Sequence, residues 1–500
     1  MPLVKLAYPP GAYRNGTEYQ SMGRIYDMNL VRWYEGALQP IGGWQAATLS
    51  TDADITFDQP IRGMLGWRDD VGVMYLAFGG ASKVWGYSVG TLTEITPGDL
   101  VAGEEEATVV DGAAYGEGFY GAGPYGGVVS DVKNQIVEAS SWQFDTFGEV
   151  LVACHVPTGK IYEWDLDTGN DLTAVANAPT ATAIVVTPER VLVALGADGD
   201  RRALAWSDQD DRTDWTAASD SFAGDYPLPG NGELMCGRRG KDETLIWTDT
   251  DLQRMEFVGG TAIYKVSQAG ANCGIISRHA VGMFGSLAFW MGKRGFFRYD
   301  GFVKPLPSEV GDYVFSDFNT VQRSLVFCTT NSDYGEVTWY YPSAGSASND
   351  RYVSYNWIHE FWMFGELSRT YGIDRSPNQY PLMIGKTATD EYTLFEHERG
   401  EDYSSLVPFA EGGPLELGEG DQVFSMLYLI PDDKTVGDVS ATLFLKFYPD
   451  GDETEFGPFT LSEQTSIRQT ARQVRLRMTQ VQPNWRVGVP RLDVVPGGRR

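Results

Sequence analysis

The sequence predicts an all-β protein. The expected architecture is an irregular β-propeller of about six to seven blades, with an extended N-terminal arm and a C-terminal antiparallel β-sandwich. Three observations predict it. Aromatic residues make up 13% of the chain and Gly numbers 58, a mixture that suits strands and tight turns. A couplet of apolar runs recurs along the chain, at a spacing of roughly 40 to 55 residues apart from one longer gap. From about Gly412 the pattern changes to short alternating runs separated by Asp/Gly turns.

Each couplet pairs a continuous apolar run with a second run that alternates and carries Trp, Tyr or Phe. The pairs are residues 74–78 with 83–87, 150–154 with 160–165, 190–195 with 203–207, and 244–247 with 254–257. They continue with 287–290 and 295–300, 325–327 and 336–340, and a weaker 381–385 and 391–395. The first run reads as a strand buried on both faces and the second as one half exposed. One such sheet cannot hide its own faces, whereas a ring of them can. A set of separate β-sandwiches is the competing arrangement.

The divisions follow from where this pattern starts and stops. Residues 1–55 read as an arm or a ring-closing strand, with Tyr13, Tyr19, Tyr26, Trp33 and Tyr34 among polar neighbours. Residues 56–410 read as the propeller, with a Gly/Tyr-rich insert near 102–135. Glu104, Glu105 and Glu106 open that insert, and Tyr115, Tyr120 and Tyr125 punctuate its glycines. These six residues are candidates for a gate or partner-contact loop. Residues 411–500 show short alternating runs separated by Asp/Gly turns, the pattern of a β-sandwich.

Charge and cysteine content narrow the function classes. A formal net charge of -28 disfavours bulk attraction to nucleic acid or anionic membrane, which requires Lys and Arg. The four cysteines, Cys154, Cys236, Cys273 and Cys328, sit far apart in or beside apolar runs, so buried free thiols and a reducing compartment are expected. No signal peptide and no apolar run long enough to span a bilayer is read, and no membrane insertion is expected.

The motifs that carry chemistry are weak. Residues 116–121 and 121–126 match G-x-G-x-x-G, but neither a buried strand nor a helix flanks them. His359 and Glu360 begin like a zinc-protease helix, yet Met363 stands where the second ligand belongs. The four histidines never approach metal-ligand spacing. The run WSDQDDRTDW at 206–215 loosely resembles the Asp-box turn of sialidase propellers, without its usual Gly. Asp210 and Asp211 there form an acidic pair in a chain that holds 67 Asp and Glu. No catalytic residue, metal ligand or cofactor is expected, and the chain is read as a non-enzyme. Arg475 and Arg477 share one face of a strand and form a candidate docking face for an acidic neighbour.

A further set of strings resembles a known family. They are VTPERV at 186–191, GRRG at 237–240, TLIWTD at 244–249, GANCGII at 270–276, WMGKRGF at 290–296, VKPLP at 303–307 and WRVG at 485–488. Together they resemble the tail nozzle, packaged-DNA stabilisation or tail hub proteins of short-tailed bacteriophages. The resemblance is best over residues 140–320, and the arm and the Glu-rich insert depart from it. It implies a virion protein made in the host cytoplasm, a ring of six copies continuing the DNA channel below the portal and adaptor. Tail fibre, spike or needle proteins would lie below it, and DNA would pass without sequence-specific binding. An acidic channel wall would then repel the DNA backbone. The alternatives are a phage-associated carbohydrate-binding or depolymerising propeller and a cellular propeller scaffold.

Overall fold

The computed structural model describes residues 3–47, 49, 54–110, 135–260, 262–387, 389–416, 422–448 and 450–499. The chain is nearly all β, and the one α-helix among these residues, Gly311–Ser316, has six residues. Seven small antiparallel sheets follow one another along the sequence. Their first strands are Met64–Arg68, Trp142–Phe147, Ala183–Val186, Leu234–Arg239, Val281–Phe284, Phe327–Asn331 and Tyr371–Ile373. Residues from all seven line one central cavity, so the arrangement is propeller-like.

Burial explains the rank of each strand within its sheet. Second strands are continuous apolar runs because neighbouring sheets cover both faces: all four residues of Leu192–Leu195 and all five of Thr244–Thr248 are buried. Some third strands alternate, as in Ala203–Trp206, where Leu204 and Trp206 turn inward, while Val84–Ser88 is buried throughout. Fourth strands are mostly polar and exposed, as in Thr173–Ala174, the exception being Phe361–Glu366 of the sixth sheet, which is buried in all but its last residue. The expected couplets fall on second and third strands in six of the seven sheets. The exception is the sixth, where residues 325–327 lead into the first strand and 336–340 lie in the second, Glu336–Tyr341. That couplet is displaced by one strand: its aromatic run is the second strand, and the third, Arg351–Asn356, is buried from Tyr352 onward.

Buried tryptophans join adjacent sheets. Trp142 donates its indole N–H to the Gly80 carbonyl at 2.8 Å, Trp290 to Cys273 at 2.7 Å and Trp339 to Ala280 at 2.9 Å. Each ring gains apolar burial while its one donor is satisfied. Close approach needs small partners. A Cβ on Gly79 would lie 2.4 Å from the Trp142 ring, so only Gly fits there.

The first 55 residues are woven through the fold rather than extended from it. Leu3–Lys5 pairs with Arg491–Arg499, and Ile25–Asn29 pairs with Phe409–Gly412. Trp44–Ala46 and Thr56–Phe57 both pair with Tyr392–His397, completing the seventh sheet, which has only three strands of its own. The arm is anchored by a buried ion-pair cluster: Arg32 meets Glu336 at 3.1 Å and Glu398 within hydrogen-bond distance, and its guanidinium lies 3.8 Å from the centre of the Tyr334 ring.

Beyond residue 408, two further antiparallel sheets form. One contains Leu3–Lys5, Arg491–Arg499, Gln422–Ile430 and Thr465–Ala471. The other runs Ile25–Asn29, Phe409–Gly412, Gln473–Gln480, Val439–Lys446 and Thr454–Thr460, with Leu415–Glu416 beside Gln473–Gln480. Val439–Lys446 buries every second residue, and its inward side chains share one apolar cluster with Met426, Leu429 and Leu492 of the other sheet. Each sheet thus includes a strand from the beginning of the chain.

Candidate functional site

The central cavity has a volume of about 380 Å³. Its wall is built from first strands, whose axis-facing side carries polar residues. Gln143 and Asp145 come from the second sheet, Arg238 and Arg239 from the fourth, Thr329 and Thr330 from the sixth, and Tyr371 from the seventh. Asp374 follows the last of these strands.

The inner end of the cavity is bridged by His279, just before the first strand of the fifth sheet. Its Nε2 lies 3.1 Å from Gln143 Nε2 and its Nδ1 lies 2.8 Å from the Tyr371 hydroxyl. Burial, then the Arg238 and Arg278 charges, holds the imidazole well below its ordinary pKa, so it is neutral at neutral pH. Arg278 beside it donates to the Thr182 carbonyl at 3.3 Å and to Glu138 at 2.9 Å. Burial raises the Glu138 carboxyl, but Arg278 and Arg323 outweigh it and the net shift is downward.

A two-stranded ribbon, Thr108–Val110 with Gln135–Val137, carries the Gly/Tyr insert. Its base reaches residues that lead into distant sheets. The Gln322 side chain exchanges two hydrogen bonds with the Ala107 backbone, at 2.9 and 2.8 Å, while Glu138 takes Arg278 and Arg323.

Around the rest of the wall, the charges divide unequally in their contacts. Arg239 is paired with Asp145 at 2.9 Å, and Asp145 also accepts the Val186 amide at 2.7 Å. Asp374 accepts from the Thr330 hydroxyl at 3.1 Å, the Ser332 amide and hydroxyl, and the Arg375 amide. Arg238 touches only its neighbour's carbonyl, Gly237 at 2.9 Å, and Gln143 Oε1 at 3.5 Å. It has no carboxylate at ion-pair distance among the described residues.

The residues singled out from sequence are placed elsewhere. Glu104, Glu105 and Glu106 are exposed, and the Glu104 and Glu105 carbonyls accept from the Ser140 amide and Arg62. Tyr115, Tyr120 and Tyr125 lie outside the described residues, as do both G-x-G-x-x-G matches. Arg475 is not a free docking charge: it is mostly buried over the Phe444 ring and paired with Glu411, Glu453 and Glu18. Arg477 is more exposed, stacks on Phe409 and lies 3.5 Å from Glu411. The neighbouring strand Phe409–Gly412, the residue before Thr454–Thr460 and the 3-10 turn Glu18–Ser21 supply acids to this face, which explains why a strand-only reading left it basic.

Asp210 pairs with Arg190 at 2.9 Å in a surface turn. Cys154, Cys236 and Cys273 are buried free thiols and Cys328 is half-buried. Among the described residues, no group of three His, Cys, Asp or Glu side chains could hold a metal ion. Sequence reasoning missed Gln143, Arg238, His279 and Tyr371. The GRRG string at 237–240 is the one local signal, and it marks Arg238 without marking its neighbours in space.

The chain matches no family model and no curated protein. It is similar in fold to the Pan2 WD40 domain of Neurospora crassa, at 7% identity and a TM-score of 0.36, over 75% of this chain and 99% of that one. An exo-β-1,3-galactanase from Phanerochaete chrysosporium is similar over 91% of this chain and 100% of that one, at 10% identity and a TM-score of 0.26. PorZ of Porphyromonas gingivalis, a surface component of the type-IX secretion system, is similar at 8% identity and a TM-score of 0.35, over 83% and 46%.

Proposed function

We propose that the chain is a structural protein of a phage tail, a nozzle or hub whose copies form a ring. In this reading the seven sheets close into one seven-bladed β-propeller, and the two C-terminal sheets pack as a β-sandwich. The observation that carries it is the weave of the N-terminal segment, which supplies strands to the seventh sheet and to both C-terminal sheets. A chain tied in this way is one stiff block, the property required of a part that bears load at the end of a DNA conduit. The bridged axis within each copy fits a conduit that runs between copies instead of through one. Six copies, each with a formal charge of -28, would surround DNA with a repelling field.

A depolymerising enzyme is the other reading. Glycoside hydrolysis needs one carboxyl kept protonated beside a second carboxylate. Asp145 and Asp374 are each already engaged by hydrogen-bond donors of the wall, which supports a binding or structural role over that chemistry.

Electron microscopy of the purified protein, alone and mixed with portal and adaptor rings, tests the proposal. Closed rings stacked on that assembly are expected; a protein that remains monomeric and ignores both rings would overturn it.

A further inference from the structure

The central cavity presents hydrogen-bond donors in a fixed order, and that order follows from one unpaired charge. Arg238 has only donors, so the end of the Gln143 amide facing it is the oxygen, Oε1 at 3.5 Å. The amide nitrogen is thereby turned to His279, 3.1 Å from Nε2 and 3.4 Å from Nδ1, and the nearer Nε2 accepts from it. A neutral imidazole carries one proton, which then sits on Nδ1 and is donated to the Tyr371 oxygen at 2.8 Å. The Tyr371 hydroxyl proton is left over. Tyr371 and Arg238 both line the cavity, so the two ends of the chain both offer donors to whatever enters. The opposite order would set the Gln143 amide nitrogen against the guanidinium, donor facing donor.

We infer that this cavity binds a small sugar acid, a hexuronate, by its carboxylate. Arg238 and the Tyr371 hydroxyl take the carboxylate, a charge-assisted contact to an otherwise uncompensated guanidinium. Asp145 and Asp374 are already fixed as acceptors and can receive sugar hydroxyls, and half-buried Phe144 and Ile373 offer apolar contact to the ring. The cavity, at about 380 Å³, falls in the size range of small-molecule sites. The inference concerns one copy of the chain and does not depend on whether copies assemble in a tail.

The test is calorimetric titration of the intact protein with sodium glucuronate and, separately, glucose. Glucuronate is expected to bind at least ~10-fold more tightly than glucose, as the loss of a charge-assisted contact implies. Arg238→Gln should weaken glucuronate by at least ~10-fold and leave glucose unchanged. Tyr371→Phe keeps the ring stacked on Phe327 and should weaken glucuronate several-fold, so the inference stays testable if the Arg238 variant misfolds. Absence of glucuronate binding, equal binding of both sugars, or full binding by correctly folded variants would overturn it. Binding of glucose alone would leave a carbohydrate site while removing the acid-specific one.

Discussion

Arg369 donates from Nε to Nε2 of His397 at 2.9 Å, and both side chains are buried where the last sheet meets the N-terminal strand. The contact requires an unprotonated histidine. Burial, followed by the Arg369 charge, holds the His397 pKa well below its usual value. Burial lowers Arg369 itself to about 10, which leaves it charged at neutral pH. The cation is sheltered by aromatic faces instead of a carboxylate, 4.7 Å from the Trp44 ring centre and 5.1 Å from that of Phe395.

Acid should therefore unfold the protein through its histidines. His397, His279 and His155 all have depressed folded pKa values, His155 down to about 4 through burial. A depressed pKa contributes stability that is complete above the unfolded value, about 6.5, and is lost as pH falls toward the folded value. Each histidine should contribute a slope of about 1.4 kcal/mol per pH unit within that window. Urea unfolding at a series of pH values between about 7 and 4 would measure it. The His155→Asn variant should show a shallower fall.

The cluster around Arg32 predicts the opposite pH trend at one site. Burial raises the Glu336 carboxyl to about 7, with Arg32 opposing the rise and Glu398 adding to it. A raised acid contributes stability that is present below its unfolded pKa and is lost as pH rises through the folded one. Replacing Arg32 with Gln leaves two buried carboxylates without their cation and should cost about 3–5 kcal/mol at neutral pH. The cost should shrink on mild acidification, as Glu336 takes up a proton. Denaturant midpoints of the variant and the wild type at about pH 7.5 and 5.5 would show whether the difference closes.

Trp44 tests the closing strand. It stacks on His397 at a ring separation of 5.3 Å, meets Tyr403 edge-on and donates to the Ser404 hydroxyl at 3.2 Å. Trp44→Ala should destabilise by about 3–5 kcal/mol. Hydrogen exchange should rise first in Tyr392–His397, its pairing partner, before it rises in the second to fifth sheets.

Gly79→Ala tests the contact between the first two sheets. The new methyl would overlap the Trp142 ring, and Trp142 is pinned through its bond to Gly80. A loss of about 1–3 kcal/mol is expected, with altered tryptophan fluorescence as the ring shifts.

The sequence made the outer two-thirds of this fold legible and left its axis dark. Runs such as 150–154 and 190–195 stand out because neighbouring sheets demand apolar side chains on both faces. Leu234–Arg239 gives no such signal: it begins apolar and ends in Arg238 and Arg239, because its far end borders the central cavity with its polar lining. Gln143 and His279 are separated by more than one hundred residues, and no local pattern joins them. The pairing of Arg475 is illegible in the sequence for a related reason. Its partners Glu18, Glu411 and Glu453 come from three separate parts of the chain.

The pairing of Trp44–Ala46 with Tyr392–His397 also fixes a timetable for biosynthesis. The ribosome releases the closing strand early and its acceptor roughly 350 residues later, so the last sheet must wait, three-stranded and open-edged, until an early segment returns to it. A nascent chain that stalled before residue 392 would carry finished sheets and an unclaimed N-terminus, exposed to chaperones or to the wrong neighbour.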